Sequence, residues 1–503
     1  MELLQDYTYP EILSREILDK KHPNVAKNIE FWDTLGDLVE GGFRLYEKRR
    51  YYVERRPDEE EALYNKRLKK FVYTNILGDA IRDFVVKLTS SPMYSKGLGE
   101  DDFWLRFRKS VNGKNKKEKD FINNLFKMLL TYGHCYVFVD KPTPKGIIRN
   151  RLEERLQKID PYCVLYKPED IIDYGIDDNE SISWVKIYSK KTISLPTSVY
   201  SVKHSWVYID SNYITTYEYL QKNKDEELPR DISRVSQISH KNNRCPVLKL
   251  ELPHEVWTGN NAFLKSIQYL QIENGWTDTA SLAGYIQRIF TPSNNADSPN
   301  ETYEGRNIEI EDVKSSNAHI MIGSGFEFKE AQGSSLKTLS HDVLDKIERQ
   351  IKSIVSLGNV TANPNESKAQ SGVSKSIDYA QFHDNLKRYG EILTSHYENI
   401  LLLVASIAGK KDNDIEVSGL TEFDLDIVTS TLENAEKVTR VDKNLTETAK
   451  KLYWKSVAKT IIPDLSNEDE ETIDIEYEFF SFSDAVEKPS ASQNSNDALQ
   501  QSS

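Results

Sequence analysis

Ser335-Leu336-Lys337-Thr338-Leu339-Ser340-His341-Asp342-Val343-Leu344-Asp345-Lys346-Ile347-Glu348-Arg349-Gln350-Ile351-Lys352-Ser353-Ile354-Val355, inside the stretch 323–409, decides how this chain reads. Leu339, Val343, Ile347, Ile351 and Val355 recur every four residues, flanked by Leu336, Leu344 and Ile354, which lays them along one side of a helix capped by Gly333-Ser334-Ser335. Turn chemistry follows in Gly358-Asn359-Val360-Thr361-Ala362-Asn363-Pro364-Asn365-Glu366-Ser367. A second stripe then runs through Val373, Ile377, Ala380, Phe382, Leu386, Tyr389, Leu393, Tyr397, Ile400 and Leu401. Two long helices around a polar loop, without catalytic residues, suit a mechanical part better than an active site.

Upstream, Asn260-Asn261 is expected to cap a helix from Ala262 to about Ile289, with Phe263, Leu264, Ile267, Leu270, Trp276, Ala280, Ala283 and Ile286 as its apolar positions. Short strands are expected between it and Gly333, at Ile308–Ile310, Ala318–Ile322 and Phe326–Phe328. Two long helices thus bracket a compact insertion. Residues 182–252 are rich in β-branched and aromatic residues and read as an antiparallel meander, with Asp210-Ser211-Asn212 as a tight turn and Val247–Leu250 closing it. The aromatics are expected to form core and cross-strand pairs. Residues 22–90 read as helical, with continuous helical spacing from Tyr64 to Leu88 and the acids Asp58–Glu61 in a first turn after Pro57. The charge run Tyr46–Lys70 reads as a solvated, salt-bridged surface. Lys109–Lys119 is the most basic segment and reads as a surface loop before a helix from Phe121 that stops near Tyr132-Gly133, with contact to nucleic-acid phosphates as the alternative. A strand follows at Cys135–Asp140, beside a lone His134 that reads as a local hydrogen-bonding residue. A strand is expected over Asp414–Val428, helices over 431–480, and a Ser/Asn/Gln-rich tail over 481–503 that cannot bury enough apolar area to order itself.

Composition narrows the function. At 503 residues more than one module is expected. A net charge of -13 argues against coating nucleic acid by bulk attraction. Cys135, Cys163 and Cys245 are odd in number and lack metal-ligand spacing, so buried reduced thiols are expected. No phosphate-loop motif, His-Glu-x-x-His or Cys-x-x-Cys occurs, and Gly323-Ser324-Gly325 lacks the flanks of a nucleophile elbow. No segment reads as an export signal or a membrane span. Catalytic residues, metal ligands and cofactors are therefore expected to be absent.

The order of these parts resembles the portal proteins of tailed double-stranded DNA bacteriophages. The residues carrying the likeness are Tyr64-Asn65-Lys66-Arg67 leading to Asn75 and Ser91-Pro92, then Tyr132-Gly133 with Val137–Pro142. Asp160-Pro161-Tyr162 with Ile171–Tyr174, Ser371-Gly372-Val373-Ser374, and Ile462–Ser466 complete the set. Family members often open the long helix with a Thr-Ala pair, where this chain has Val373-Ser374.

The resemblance implies an α+β, mainly helical fold that assembles as a ring of usually twelve copies. It implies a wing over 1–259 and 373–430, stem helices over 262–290 and 335–357, a clip over 291–334, a tunnel loop over 358–372 and a helical crown over 431–480. Gly358, Asn359, Val360, Thr361, Asn363, Asn365, Glu366, Ser367 and Lys368 would form the tunnel loop. Lys337, Asp342, Asp345, Lys346, Glu348 and Lys352 would line the channel or bridge subunits, and Asn300, Tyr303, Arg306, Glu309 and Glu311 would bind clip partners. The implied partners are double-stranded DNA, the terminase large subunit, head-tail adaptor or tail proteins, and major capsid and scaffold proteins, with no membrane. The implied location is one vertex of the virion capsid, after assembly in the host cytoplasm. The alternatives are a head or tail scaffold without a channel and, further off, a nucleic-acid-processing enzyme.

Overall fold

The computed structural model describes residues 9–98, 102–142, 159–194, 200–222, 226–240, 242, 244–283, 288–290, 326–328, 333–356, 372–410 and 414–421. By its internal contacts the chain divides at Thr421, and every described residue belongs to the unit 1–421. Helices and antiparallel sheets share these residues, so the fold is mixed α and β.

The aromatic-rich stretch does form a meander. Strands β5 (Ile171–Ile176), β6 (Ile182–Ile193), β7 (Ser201–Ile209), β8 (Tyr213–Gln221) and β9 (Asp231–Ser239) are consecutive antiparallel neighbours, and β1 (Ile12–Ser14) adds to the β9 edge. The β7–β8 turn is set by Asp210, whose Oδ1 accepts the backbone N–H of Asn212 at 2.6 Å and of Tyr213 at 2.7 Å. Tyr188 lies opposite Trp206, and Trp206 opposite Tyr217, so the rings are cross-strand pairs. Both sheet faces are covered, which explains the lack of clean apolar/polar alternation. One face packs Trp206, Tyr208 and Tyr217 on Tyr9, Leu13 and Leu18; the other packs Val185, Ile187 and Ile209 on Tyr136, Phe138 and Val247.

That second contact corrects the sequence reading. Strand β10 (Val247–Glu251) does not close the meander but pairs with β3 (His134–Asp140), which also pairs with β4 (Tyr162–Tyr166), making a separate three-stranded sheet. All three cysteines are buried and unpaired.

Helices α2 (Pro23–Glu40), α6 (Ile76–Leu88) and α8 (Glu118–Tyr132) form the helical layer beside this sheet. Gly133 ends α8 at φ +76°, and a Cβ there would come within 2.6 Å of the Trp257 ring. The expected continuous pattern 64–88 is broken: α5 spans Glu61–Lys69, the chain takes no regular structure through Phe71–Asn75, and Asn75 caps α6 by accepting the Gly78 N–H. Asp58 sits at φ +58° in a turn rather than in the first turn of α5.

The charge run is not wholly solvated either. Asp37 on α2, almost fully buried, receives Arg44 Nε at 2.6 Å, Lys48 Nζ at 2.9 Å and the Tyr52 hydroxyl at 2.7 Å. Arg67 and Glu59 also pair at 2.6 Å with little exposure, and this bond chiefly holds the Glu59 carboxyl down near 2. The Arg50–Glu61 pair is exposed as expected.

Candidate assembly surface

Three long helices carry the rest of the described chain: α9 (Thr258–Ala283), α10 (Gly333–Ser356) and α11 (Gly372–Ile407). Helix α9 starts at Thr258, two residues before the expected cap, because the 254–256 turn and Trp257 already deliver the chain onto α8. Trp257 Nε1 donates to Thr131 O at 2.9 Å, and a Cβ on Gly259 would meet that same carbonyl at 2.2 Å. The helix ends at Ala283, and Ile289 lies instead in strand β11 (Arg288–Phe290), antiparallel to β12 (Phe326–Phe328). Helix α10 then packs back against α9 and against α6.

Side chains of α9 grip the irregular segment between α5 and α6. Asn274 accepts the Val72 N–H at 3.1 Å through Oδ1 and donates to Val72 O at 2.8 Å through Nδ2, so its carboxamide stands in for a neighbouring strand. Glu273 accepts the Thr74 N–H at 2.9 Å and the Thr74 hydroxyl at 2.5 Å. Asp278 receives Arg56 at 2.8 Å. Backbone groups outside regular structure need such partners. Sequence reasoning missed these residues, whose signal is faint: polar side chains within an otherwise apolar helical spacing.

Helix α11 fastens the segment that feeds α9. The Tyr389 hydroxyl donates to Val256 O at 2.7 Å and lies 3.1 Å from Thr258 Oγ1. His396 Nε2 is 2.9 Å from Glu251 O, and Arg388 meets Glu255 at 3.1 Å. The Tyr397 hydroxyl donates to Glu118 at 2.7 Å, and its complete burial pushes its ionisation well above the ordinary range. Past α11, strand β13 (Glu416–Gly419) pairs with β2 (Met93–Lys96), so the described strand is shorter than the expected 414–428.

Helix α10 has two unlike faces. Ile347, Ile351 and Val355 are buried, as the four-residue spacing predicts, and so is the flanking Leu344, whereas Val343 of the stripe is half-buried. Asp342, Asp345, Lys346 and Arg349 share the opposite, exposed face. Glu348 and Lys352 are half-buried and pair with each other at 2.6 Å along the same helix. Lys337 falls within the first turns of α10, where the backbone is described. Helix α9 presents an uncharged strip instead: Leu264, Gln268, Gln271 and Gly275 are exposed on one face, Leu264 at 76% although the spacing assigned it an apolar role. The residues named for the stem thus spread along one helix, and among the described residues Glu348 and Lys352 meet. The residues named for the tunnel loop (Gly358 to Lys368) and for clip partners (Asn300 to Glu311) lie outside the described residues.

Chemical sites are sparse. Among the described residues no group of three or more His, Cys, Asp or Glu is placed to hold a metal ion. No described helix is long and apolar enough to cross a membrane. A cavity of about 990 Å³ opens between the β5–β6 turn, the N-terminal segment and β10, with Lys186 on its wall. The Lys186 ammonium is already used: it donates to Ile17 O at 3.0 Å and Lys20 O at 2.6 Å and pairs with Asp173 at 3.5 Å. Burial draws its pKa below the ordinary lysine value.

No protein-family model matches this sequence, and no curated protein matches it. Among solved structures, one similar chain comes from "Virion of native gene transfer agent (GTA) particle", at 11% identity and a TM-score of 0.40, covering 81% of this chain and 98% of that one. Another comes from "Neck of empty GTA particle computed with C6 symmetry", at 10% identity and a TM-score of 0.41, covering 72% of this chain and 85% of that one. Superposition at these scores is loose and does not assign this chain to a family.

Proposed function

We propose that this chain is a portal-type virion subunit whose copies stand side by side in a ring and enclose a channel for double-stranded DNA. The observation that carries the reading is the path α9, two-stranded ribbon, α10, polar segment, α11, with α9 and α10 packed together and rooted by α9 in the segment Phe71–Asn75. In this reading α9 and α10 are the stem, residues 291–334 the clip, 358–372 the tunnel loop, 1–259 and 373–430 the wing, and 431–480 the crown.

The helix faces support it. A stem needs one face for its own subunit and another for its neighbours and the lumen, and α10 has that division. Side-by-side stems would bury the uncharged strip of α9, including Leu264. Twelve helix pairs about 10 Å apart would surround a channel of roughly 28 Å, wide enough for a duplex. The mixed charges Asp342, Asp345, Lys346 and Arg349 would not hold phosphates tightly, so DNA could slide. The chain would do no bond-making chemistry. Its partners would be copies of itself, DNA, a packaging motor, and tail or adaptor proteins.

Negative-stain images of the purified protein test this directly: rings with a central hole are expected, and a uniform monomer under assembly-promoting conditions overturns the reading. Shortening the loop Gly358–Gly372 should leave rings intact and impair DNA packaging or retention; unchanged packaging and retention would remove the loop from the mechanism.

A further inference from the structure

The most basic segment of the chain is a built feature. Between α7 (Asp102–Lys109) and α8, residues 110–117 are folded tightly onto themselves. Asn112 Oδ1 accepts the N–H of Lys114 at 2.9 Å and of Lys116 at 3.0 Å, and Ser110 Oγ accepts the N–H of Asn115 at 2.9 Å. The Val111 N–H closes the loop on Lys116 O at 2.9 Å. Gly113 and Asn115 take the left-handed conformations this turn requires, at φ +67° and +62°. Beneath, Val111 is fully buried, and its carbonyl accepts the Cys163 N–H at 2.8 Å, which pins the loop to β4.

The resulting knob presents lysines. Lys109, Lys114, Lys116, Lys117 and Lys119 are exposed, and none has an ion-pair partner among the described residues. The acids nearby in sequence and space are engaged elsewhere: Glu118 by Arg108 and the Tyr397 hydroxyl, Asp160 by Arg106. Asp120 is the one nearby exposed carboxylate in the sequence. The overall acidity of the chain does not counter this patch. Residues 422–503 hold 18 acidic and 8 basic residues, so they carry -10 of the total -13 and leave the first 421 residues near neutrality. At physiological salt, screening over about 8 Å isolates a local patch from distant charge.

We propose that the loop 109–119 is a contact for the phosphate backbone of nucleic acid, without sequence preference. Lysine ammoniums on flexible stems are point-charge partners for phosphates, and the preformed loop has little conformational freedom to lose on binding. The loop exposes neither an arginine fork nor an aromatic ring for reading bases. It also exposes no apolar anchor of the kind that dominates protein–protein docking. The inference stands apart from the ring reading, since it needs only the loop.

The experiment is fluorescence anisotropy of the purified full chain with a labelled 30-base-pair duplex over a salt series, beside the triple variant Lys114→Gln, Lys116→Gln, Lys117→Gln. Weak binding is expected, with the affinity of the variant down about tenfold at low salt. Its log–log salt slope should be shallower by about 2.7, at ~0.9 for each phosphate no longer neutralised. Lys→Arg at the same positions should restore binding. A charge-matched variant elsewhere (Lys66→Gln, Lys69→Gln, Lys190→Gln) should bind like the parent. Equal loss in the two Gln variants, or no loss in the loop variant, overturns the proposal. Loss of polyglutamate binding with unchanged DNA binding overturns it in favour of an acidic protein partner. Rings in the electron microscope with loop-independent DNA binding would discard the loop and leave the ring.

Discussion

The six-stranded sheet and the helix pair α9–α10 are held by different means. The sheet is stitched by backbone ladders from strand to strand and is buried on both faces, under the N-terminal segment on one and the three-stranded sheet on the other. The helix pair has one apolar seam, packs against α6, α8 and α2, and is further tied to the body by the side chains of Asn274, Glu273 and Asp278. Its outer faces, uncharged on α9 and mixed in charge on α10, are exposed among the described residues. A region covered on both faces serves as a body, whereas one with open faces is suited to packing against copies.

That contrast can be broken by mutation. Trp206→Ala in the sheet core should cost about 3–5 kcal/mol and unfold the body cooperatively, seen as a large drop in thermal midpoint. If its effect were no larger than that of a clamp mutation, the sheet would not be the region that serves as the body.

The seam between the helical layer and the small sheet should respond to acid. Burial chiefly, aided by the Lys249 cation, holds the His134 imidazole down at about 4, beside the Trp32 ring at 5.2 Å. The unfolded chain then takes up this proton first, near 6.5. Stability from the neutral ring is complete above that value and declines as pH falls toward 4. Between pH 7 and 5 the loss should be about 2 kcal/mol. Denaturant titrations of parent and His134→Phe at both pH values check it, and the variant should lose less.

Asn274→Ala should cost about 1 kcal/mol, since it removes two bonds to Val72 and one to Leu270 O that water can partly replace. Its diagnostic effect is local: faster hydrogen exchange at the Val72 amide with sheet amides unchanged. Lys352→Ala should change stability least, by about 0.3–0.5 kcal/mol, because its pair with Glu348 is a partly exposed contact within one helix. A larger loss confined to assembled protein would move Lys352 into a subunit contact.

The sequence displayed the periodic parts of this fold well and the long-range parts poorly. The stripe of α10 and the aromatic strands were legible because burial imposes a period on one helix or strand at a time. The pairing of β10 with β3 was not, because adjacency in the chain favoured the meander. The helical spacing continues through Val72 and Tyr73, yet that segment is not helical, since the α9 clamps outweigh local preference. Asp37 looked like one acid among many, and its burial under Arg44, Lys48 and Tyr52 depends on the packing of three helices. For the candidate surface, the α10 stripe and its charged back were visible, while Asn274, Glu273 and the α11 fastening emerged only in three dimensions.

The central claim is that α9 and α10 of neighbouring copies stand side by side around a hole. A cryo-electron microscopy map of the assembled protein, reconstructed first without imposed symmetry, tests it most directly. The account predicts a closed ring in which the α9 strip around Leu264 is buried against a neighbour and the α10 face bearing Lys346 and Arg349 borders the lumen or the next subunit. Particles in which both faces remain exposed to solvent around no central opening would contradict it.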